Sequence, residues 1–305
     1  MLAVIRNNLK TPSGLIDYRK KILVTGAGGF VGQVLCRRLA ASGFAVTGLF
    51  RDTPPSAVWM EVRVAGDLTA VADFAPLVEG ADAVVHLAAR VHMMRDTATD
   101  PEAAFEEVNA NVTRKLAKAA AAGGIGRFVF LSSVKANGES TSNRAAFSEI
   151  DPPAPEDAYG RSKLAAETAL AEIAATTGLP VTTLRVPLVY GPGVRANFAS
   201  LMAICDTVFP LPLTGITANR RSLLYLGNLT HAIERVIETG GDLSGVYLLS
   251  DGEDLSTAEL VFRLRRCFDR PQFGIPVPVA VLTGLAALAG RRAAADRLCG
   301  SLQVN

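Results

Sequence analysis

Between Lys21 and Ala41 the order of residue types leaves few folds open. Lys21 to Gly26 (KILVTG) is a continuous apolar run ending in glycine, which predicts a strand buried on both faces, as in a parallel sheet. It leads straight into Thr25-Gly26-Ala27-Gly28-Gly29-Phe30-Val31-Gly32. Val31 to Ala41 then places Val31, Val34, Leu35 and Leu39 on one helical face. A strand, a three-glycine turn and a helix in that order predict a loop that binds the pyrophosphate of a dinucleotide. One glycine permits the sharp turn, another lets the backbone approach the anion, and the last lets helix and strand pack closely. The helix N-terminus adds free N–H groups and the positive end of its dipole. A glycine triplet alone is a weak signal; the flanking strand and helix strengthen it.

The rhythm continues. Ala45 to Arg51, Val62 to Val64, Asp82 to Ala89 and Arg127 to Ser133 read as further strands, and Pro101 to Ala122 as one long helix with Asp100 as N-cap. Strands alternating with helices predict an α/β fold, a Rossmann-type doubly wound parallel sheet. After Leu184 the strand-like VTTLRVPLVYG gives way to a segment punctuated by Pro192, Gly193, Pro210, Pro212 and Gly215, then RSLLYLGNL, then helical patterns from Thr257 and Val279. The expected organisation is an N-terminal extension over 1–20, a dinucleotide domain over 21–187 with about 221–250, and a smaller C-terminal substrate lobe from 188–220 and 251–305.

Composition narrows the partners. Hydrophobic residues make up 49% of the 305, which excludes disorder. Lys plus Arg number 31 against 29 Asp plus Glu, and without a basic run this gives no footprint for nucleic acid, leaving a small-molecule partner. Cys36, Cys205, Cys267 and Cys299 fit neither a disulfide framework nor a zinc site, so a reduced cytoplasm is expected. His86, His92 and His231 lack metal-ligand spacing, and no metal is expected. The opening MLAVIRNNLKTPSGLIDYRK has too short an apolar core for a secretory signal. Gly274 to Gly290 is too short to span a bilayer and is interrupted by Pro276 and Pro278. A buried helix from about Val279 is favoured over membrane attachment, so no stable membrane insertion is expected.

Two further patterns carry chemistry. At the end of the second strand Phe50 stands where an acid would bond the ribose hydroxyls of NAD, and Arg51 follows. The cofactor is therefore NAD or NADP, with Arg51 tilting toward NADP unless it is an ordinary solvated charge. Asp67 in GDL is placed to accept from an adenine amino group, the alternative being a simple turn residue. Tyr159 and Lys163 in YGRSK lie four residues apart at the start of a helical pattern, hence on one face. A phenol with a pKa near 10 is a poor base until a neighbouring ammonium favours the phenolate. Leu131-Ser132-Ser133 ends a strand and brings a hydroxyl to the same crevice. Ser133, Tyr159 and Lys163 thus form a candidate proton-transfer set.

From Lys21 onward the chain resembles an extended short-chain dehydrogenase/reductase of the nucleotide-sugar epimerase and dehydratase family. TGAGGFVG matches the family's TGxxGxxG, His86 to Ala89 its HxAA strand, and Val108-Asn109 before Thr113 its VNxxGT helix. The resemblance implies catalysis by Ser133, Tyr159 and Lys163. It implies a cofactor site of Gly26, Gly29, Phe30, Val31, Gly32, Arg51, Asp67, Leu68, Leu87, Ala88, Ala89, Asn109, Tyr159, Lys163 and Pro187. LRVPLVYGPG, Asn197-Phe198 and RRSLLYLGNL resemble segments that hold a nucleoside diphosphate sugar. Ser133, Asn197 and Arg221 are the implied substrate contacts, with Arg297 a weaker one; His92 reads as a loop histidine.

The implied activity is NAD(P)-dependent chemistry at C4 of a UDP-hexose or UDP-N-acetylhexosamine, of the 4-epimerase type. The alternative is an NAD(P)H-dependent 4-keto-hexose reductase in surface polysaccharide precursor synthesis. A steroid- or flavonoid-like ketone as substrate and a redox-sensing regulator are further rivals, the last opposed by the intact proton-transfer set. A homodimer is implied by the resemblance alone. Leu188 stands where the family often has Asn, and Val112 where it has Gly. Members continue beyond the position of Asn305 with a K-x-x-x-x-LGW-type segment, so the substrate lobe is expected to be short at its C-terminal end.

Overall fold

The apolar run at Lys21 becomes the middle of a sheet. In the computed structural model, which describes residues 19–54, 60–91, 100–290 and 292–305, β1 (Lys21–Thr25) is buried from Ile22 through Thr25. His92 and residues 1–18 of the expected N-terminal extension lie outside the described residues. After β1 come α1 (Phe30–Ala41), β2 (Ala45–Phe50), β3 (Glu61–Val64), α2 (Ala75–Val78) and β4 (Ala83–His86). The chain continues through α3 (Pro101–Phe105), α4 (Val112–Ala122), β5 (Arg127–Ser133), α5 (Ala158–Thr177) and β6 (Val181–Val186). It ends with β7 (Leu188–Tyr190), α6 (Ala196–Cys205), β8 (Arg221–Tyr225), α7 (Leu226–Glu238), β9 (Gly245–Leu248), β10 (Asp254–Leu255), α8 (Thr257–Cys267), α9 (Val279–Leu288) and α10 (Arg292–Cys299).

Seven strands form one sheet in the order β3-β2-β1-β4-β5-β6-β9, every neighbouring pair parallel. Strand alternation sends side chains to two cores. Leu23, Val84, Phe128 and Phe130 pack against Leu116 of α4 and Leu170 and Ile173 of α5. Ile22, Val24, Val85 and Val129 pack on the other face against Leu35 and Leu39 of α1 and Leu229, Ile233 and Ile237 of α7. The sheet is doubly wound, and the chain order reverses between β1 and β4, where such folds open a crevice at their carboxyl edge. A second, three-stranded sheet runs β10-β8-β7.

The structure redraws several expected elements. The continuous strand expected over VTTLRVPLVYG breaks at Pro187: without an N–H to continue the ladder, the chain leaves the large sheet, and β7 pairs with β8 instead. The fourth strand stops at His86 rather than Ala89, because Leu87 and Ala88 turn to donate their N–H groups to Thr25 Oγ1, each at 3.2 Å. The helix expected over Pro101 to Ala122 carries a π-helical segment, Glu106–Asn111, between α3 and α4. At its entry Asp100 does accept from the Ala103 N–H. The helix from Val279 forms, yet none of its residues is buried, which corrects the expectation of a buried helix. Among the described residues no helix is long and apolar enough to cross a membrane.

Residues Ser301 to Asn305 run between two parts of the molecule. Leu302 bridges to Arg221 of β8, and Val304 bridges to Phe147 in the loop that follows β5. Leu302 and Val304 pack with Val134, Phe147 and Leu248.

Candidate active site

The glycine loop has the shape its sequence requires. Gly26 adopts φ +67°, and a Cβ there would come within 2.8 Å of the Ala88 backbone nitrogen. A Cβ on Gly32 would stand 2.8 Å from the Ala27 Cα, so a side chain would push α1 off β1. Gly29 is the N-cap of α1 and no side chain caps that end, which leaves the first-turn N–H groups for an anion. In front of this loop lies a cavity of about 650 Å³. Gly26 to Gly29, Phe50, Arg51, Asp67, Leu68, Leu87 to Ala89 and Val108 are among its lining residues. Phe30, Val31 and Gly32 stand just behind, in the first turn of α1. A cavity of this size with an uncapped helix end and backbone held bare by glycine fits a dinucleotide.

His86 holds the wall of this cavity. Its Nδ1 lies 2.7 Å from Thr25 Oγ1 and its Nε2 2.9 Å from Thr113 Oγ1. Thr113 donates to the Asn109 carbonyl, so it accepts from His86, which places the imidazole proton on Nε2. Thr25 then donates to Nδ1 and accepts from the Leu87 and Ala88 N–H groups. Burial, helped by the charge of Lys163, pushes the His86 pKa down to about 3, so the ring is neutral. No catalytic or ligand role for His86 is written in the sequence pattern; its position at a strand end between two threonines is the signal that identifies it.

At the adenosine end Arg51 and Asp67 face each other at 3.5 Å, both largely exposed. Asp67 Oδ1 accepts from the Thr69 N–H and hydroxyl, bonds that hold its pKa below the usual range with a smaller contribution from Arg51. The Phe50 ring folds against Gly28 and Gly48 and fills the place of the missing acid. A second arginine, Arg37 on the exposed face of α1, lines the same cavity and was not picked out from sequence. Asn109 stands behind the wall rather than on it. Its Oδ1 accepts from the Arg90 N–H at 2.8 Å and its Nδ2 donates to the Arg90 carbonyl and to Ser162 Oγ.

One strand further along the sheet, the proton-transfer candidates come together. Ser133 ends β5, its Oγ accepts from the Lys135 N–H at 3.2 Å, and its hydroxyl stands near enough to the Tyr159 phenol to favour the phenolate. Asp157 caps α5 by accepting from the Gly160 N–H at 2.7 Å, which fixes the turn carrying Tyr159. The Lys135 ammonium in turn holds Asp157. Lys163 Nζ is buried, donates to the Leu131 carbonyl at 2.8 Å and lies 6.0 Å from the centre of the Tyr159 ring. The electrostatics differ from the simple expectation that Lys163 lowers the Tyr159 pKa. Burial pushes the phenol up to about 12 against the opposing pull of the Ser133 hydroxyl, and burial pushes Lys163 down to about 8. Lys163 spends its charge on a carbonyl, and the phenol gains little from it in this arrangement.

Beneath this set lies a buried ion pair missed in the sequence. Arg185 of β6 donates from Nη2 to Glu167 of α5 at 2.6 Å and from Nη1 to Asn137 Oδ1 at 3.1 Å. Ser132 donates to the same carboxylate. A charge inside an apolar strand, VTTLRV, is the clue.

The substrate candidates are more scattered. Arg221 and Arg297 meet through the backbone: Arg221 Nη1 donates to the carbonyls of Arg297 and Gly300 at 2.6 and 3.0 Å. Burial lowers the Arg221 pKa. Asn197 is exposed in the first turn of α6 and is not joined to them. Pro187 is buried at the break between β6 and β7. Nearby, an unforeseen aromatic group forms: the Tyr190 ring stacks on Phe198 at 5.6 Å and lies 5.6 Å from Tyr225. The Tyr190 hydroxyl donates to Asp251 at 3.0 Å.

A parallel α/β sheet with a dinucleotide cavity at its switch point and a Ser, Tyr and Lys set on the next strand defines a nicotinamide dinucleotide-dependent enzyme of the extended short-chain dehydrogenase/reductase class. Residues 22–249 match the NAD dependent epimerase/dehydratase family, and the chain belongs to it. A UDP-glucose 4-epimerase of Vibrio cholerae is 41% identical over 287 residues, covering 94% of this chain and 87% of that one. An N-acetyl-alpha-D-glucosaminyl-diphospho-ditrans,octacis-undecaprenol 4-epimerase of Escherichia coli O157:H7 is 29% identical, covering 86% of this chain and 77% of that protein. Among solved structures, UDP-N-acetylglucosamine 4-epimerase from Bacillus cereus superposes with a TM-score of 0.72 at 24% identity, covering 85% of each chain.

Proposed function

We propose that this chain is a nucleotide-sugar enzyme acting at C4 of a UDP-hexose or UDP-N-acetylhexosamine, of the 4-epimerase type. The observation that carries this reading is the meeting of Ser133, Tyr159 and Lys163 at the carboxyl end of β5, one strand from the dinucleotide cavity. The similarity to a UDP-glucose 4-epimerase supports the C4 position and the uridine diphosphate.

Gly26, Gly29, Phe30, Val31 and Gly32 would hold the cofactor's pyrophosphate. Arg51, Asp67 and Leu68 would hold its adenosine end, and Leu87, Ala88 and Ala89 would line its path. Tyr159, Lys163 and Pro187 would face the nicotinamide end, with Asn109 acting through Arg90 and Ser162. When bound, the nicotinamide supplies a reversible hydride acceptor. Ser133 holds the sugar's O4 by a hydrogen bond and stabilises charge that develops there. Tyr159 takes the proton from the C4 hydroxyl and returns it when the sugar is reduced on its other face. For that the phenol must come down from about 12, and Lys163, moved off the Leu131 carbonyl, is the chain's own means of lowering it. Arg221 would pair with the diphosphate, assisted by Asn197 and more weakly by the neighbourhood of Arg297.

Arg51 and Arg37 on the cavity rim, with Phe50 in the acid's place, favour NADP over NAD. The same arginines support a second reading, a 4-keto-hexose reductase that consumes NADPH. Incubating the purified protein with UDP-glucose or UDP-N-acetylglucosamine and no added reductant separates the two. Equilibration of C4 epimers supports the epimerase; no change there, together with NADPH-dependent loss of a UDP-4-keto sugar in a second incubation, supports the reductase; absence of both activities overturns the proposal. Residues 21–187 with about 226–250 are assigned to the dinucleotide domain, and 188–225 with 251–305 to the substrate lobe; the expected boundary at 221 moves because β8 pairs with β7 and β10 and not with the large sheet. A homodimer in the cytoplasm completes the reading, the compartment being supported by four free thiols.

A further inference from the structure

Two acids stand beside the two places where the proposed reaction develops or receives negative charge. Asp157 caps α5 two residues before Tyr159 and accepts from the Gly160 N–H at 2.7 Å. Its charge adds to the burial that disfavours the Tyr159 phenolate. Burial raises the Asp157 pKa too, but the bonds from Lys135 and the Gly160 N–H outweigh it and hold the carboxyl below its usual range, charged. Glu139, in the loop that follows β5, acts on Arg221: burial lowers the Arg221 pKa, and the Glu139 charge works against that. An acid that favours the charged arginine also repels a diphosphate arriving there.

One cation meets both acids. Lys135 Nζ lies 2.5 Å from Asp157 and 2.8 Å from Glu139, and none of the three side chains is more than 34% exposed. Water therefore screens these charges only in part. With Lys135 the two carboxylates carry one net negative charge, and without it two. Its backbone is gripped by the elements that carry the hydroxyl and the phenol. The Lys135 N–H donates to Ser133 Oγ at 3.2 Å, and its carbonyl lies so close to Gly160 that a Cβ there would come within 2.6 Å. The other charged groups near the cap are engaged elsewhere. Arg161 of α5 holds Glu102 of α3 by two bonds of 2.6 Å, Lys163 is bound to the Leu131 carbonyl, and α3 turns the ring of Phe105 to Tyr159. We propose that Lys135 is a positioning residue that offsets Asp157 beside the Tyr159 phenol and Glu139 beside a diphosphate held at Arg221. The inference rests on the C4 chemistry proposed above.

The test reads the phenol and the diphosphate without turnover, in the full chain saturated with dinucleotide. Tyr159 is titrated by its tyrosinate absorbance, each protein being referred to the same protein carrying Tyr159→Phe, and UDP binding is followed by calorimetry. Lys135→Met is expected to move the titration up by about one pH unit and to weaken UDP by about threefold or more. Lys135→Arg, which keeps the charge, should bring both back close to the wild type. Lys135→Met/Asp157→Asn separates charge from packing, because asparagine caps a helix as well as aspartate does. In that variant the titration should return to the wild-type position while UDP stays weak; Lys135→Met/Glu139→Gln should recover UDP and leave the titration displaced. The inference is overturned if Lys135→Met matches the wild type in both measurements, or if the Asp157→Asn double variant stays displaced, which would make Lys135 a structural support alone. A wild-type phenol that never ionises in the folded protein overturns its first half, and a wild type that binds no UDP its second. Turnover is assayed separately: its absence from the wild type sinks the C4 reading and leaves both shifts measurable.

Discussion

In the proposed mechanism turnover depends on Tyr159. Burial pushes its phenol up to about 12, opposed by the neighbouring Ser133 hydroxyl, while the Lys163 ammonium is bound to the Leu131 carbonyl. Tyr159→Phe keeps the ring, including its edge contact with Phe105 at 6.1 Å, and removes the hydroxyl proposed to move the proton. A fall in kcat of roughly 10²- to 10⁴-fold is expected, with dinucleotide binding unchanged by calorimetry. Near-normal turnover would mean the proton leaves by another path. Arg51 and Arg37 pose a separate question at the same scale. If they receive a 2′-phosphate, Arg51→Ala/Arg37→Ala should weaken NADPH binding by about tenfold or more and leave NADH within about twofold. Equal losses for the two cofactors would show that the arginines do not read the phosphate.

Among the elements, β4 and α5 position the site through buried polar groups. His86 in the folded chain stays neutral down to about pH 3, whereas in the unfolded chain it takes up a proton near pH 6.5. The folded state binds fewer protons between those values, so this contribution is intact above about pH 6.5. It is lost at about 1.4 kcal/mol per pH unit as the pH falls toward 3. Chemical denaturation at pH 7, 6 and 5 should show this extra slope in the wild type and its absence in His86→Gln; parallel curves would remove His86 from the account. Glu167 presents the second test. With Arg185 and Ser132 it ties α5 to β5 and β6, and Glu167→Ala leaves a guanidinium buried without its counter-charge. A loss of about 3–5 kcal/mol in urea unfolding is expected. Glu167→Gln, which keeps an acceptor, should lose less. In the sequence His86 showed only as the first residue of the HLAA run, without a role, and Glu167 did not show at all. Glycine spacing, the alternating apolar runs and the Tyr-Lys interval are local signals, and they fell where the structure has them. His86, Glu167 and Arg185 acquire their roles from residues tens of positions away, which no local pattern records. The position of α9 has a related cause: composition alone cannot separate a helix packed into the core from one that leaves its apolar side chains exposed.

For the whole molecule the question is how the nucleotide sheet and the smaller sheet are held in register, because Ser133 belongs to one and Arg221 to the other. Residues Ser301 to Asn305 join them. On one side the Thr141 and Phe147 N–H groups donate to the Ser301 and Gln303 carbonyls, both at 2.8 Å, in the loop that follows Ser133. On the other, the Ser222 N–H donates to the Leu302 carbonyl at 2.9 Å, and the Leu302 N–H to the Arg220 carbonyl at 2.9 Å. Between these two ladders Leu302 and Val304 are buried against Val134 and Phe147. Loosening this strap should therefore affect stability and substrate binding together. Leu302→Ala is expected to cost about 2–3 kcal/mol in urea unfolding. It should also raise KM for the UDP-sugar more than it lowers kcat, because Arg221 shifts while the set on β5 and α5 stays in place. A variant that is destabilised with an unchanged KM would show that the strap supports the fold without setting the distance between the two halves of the site.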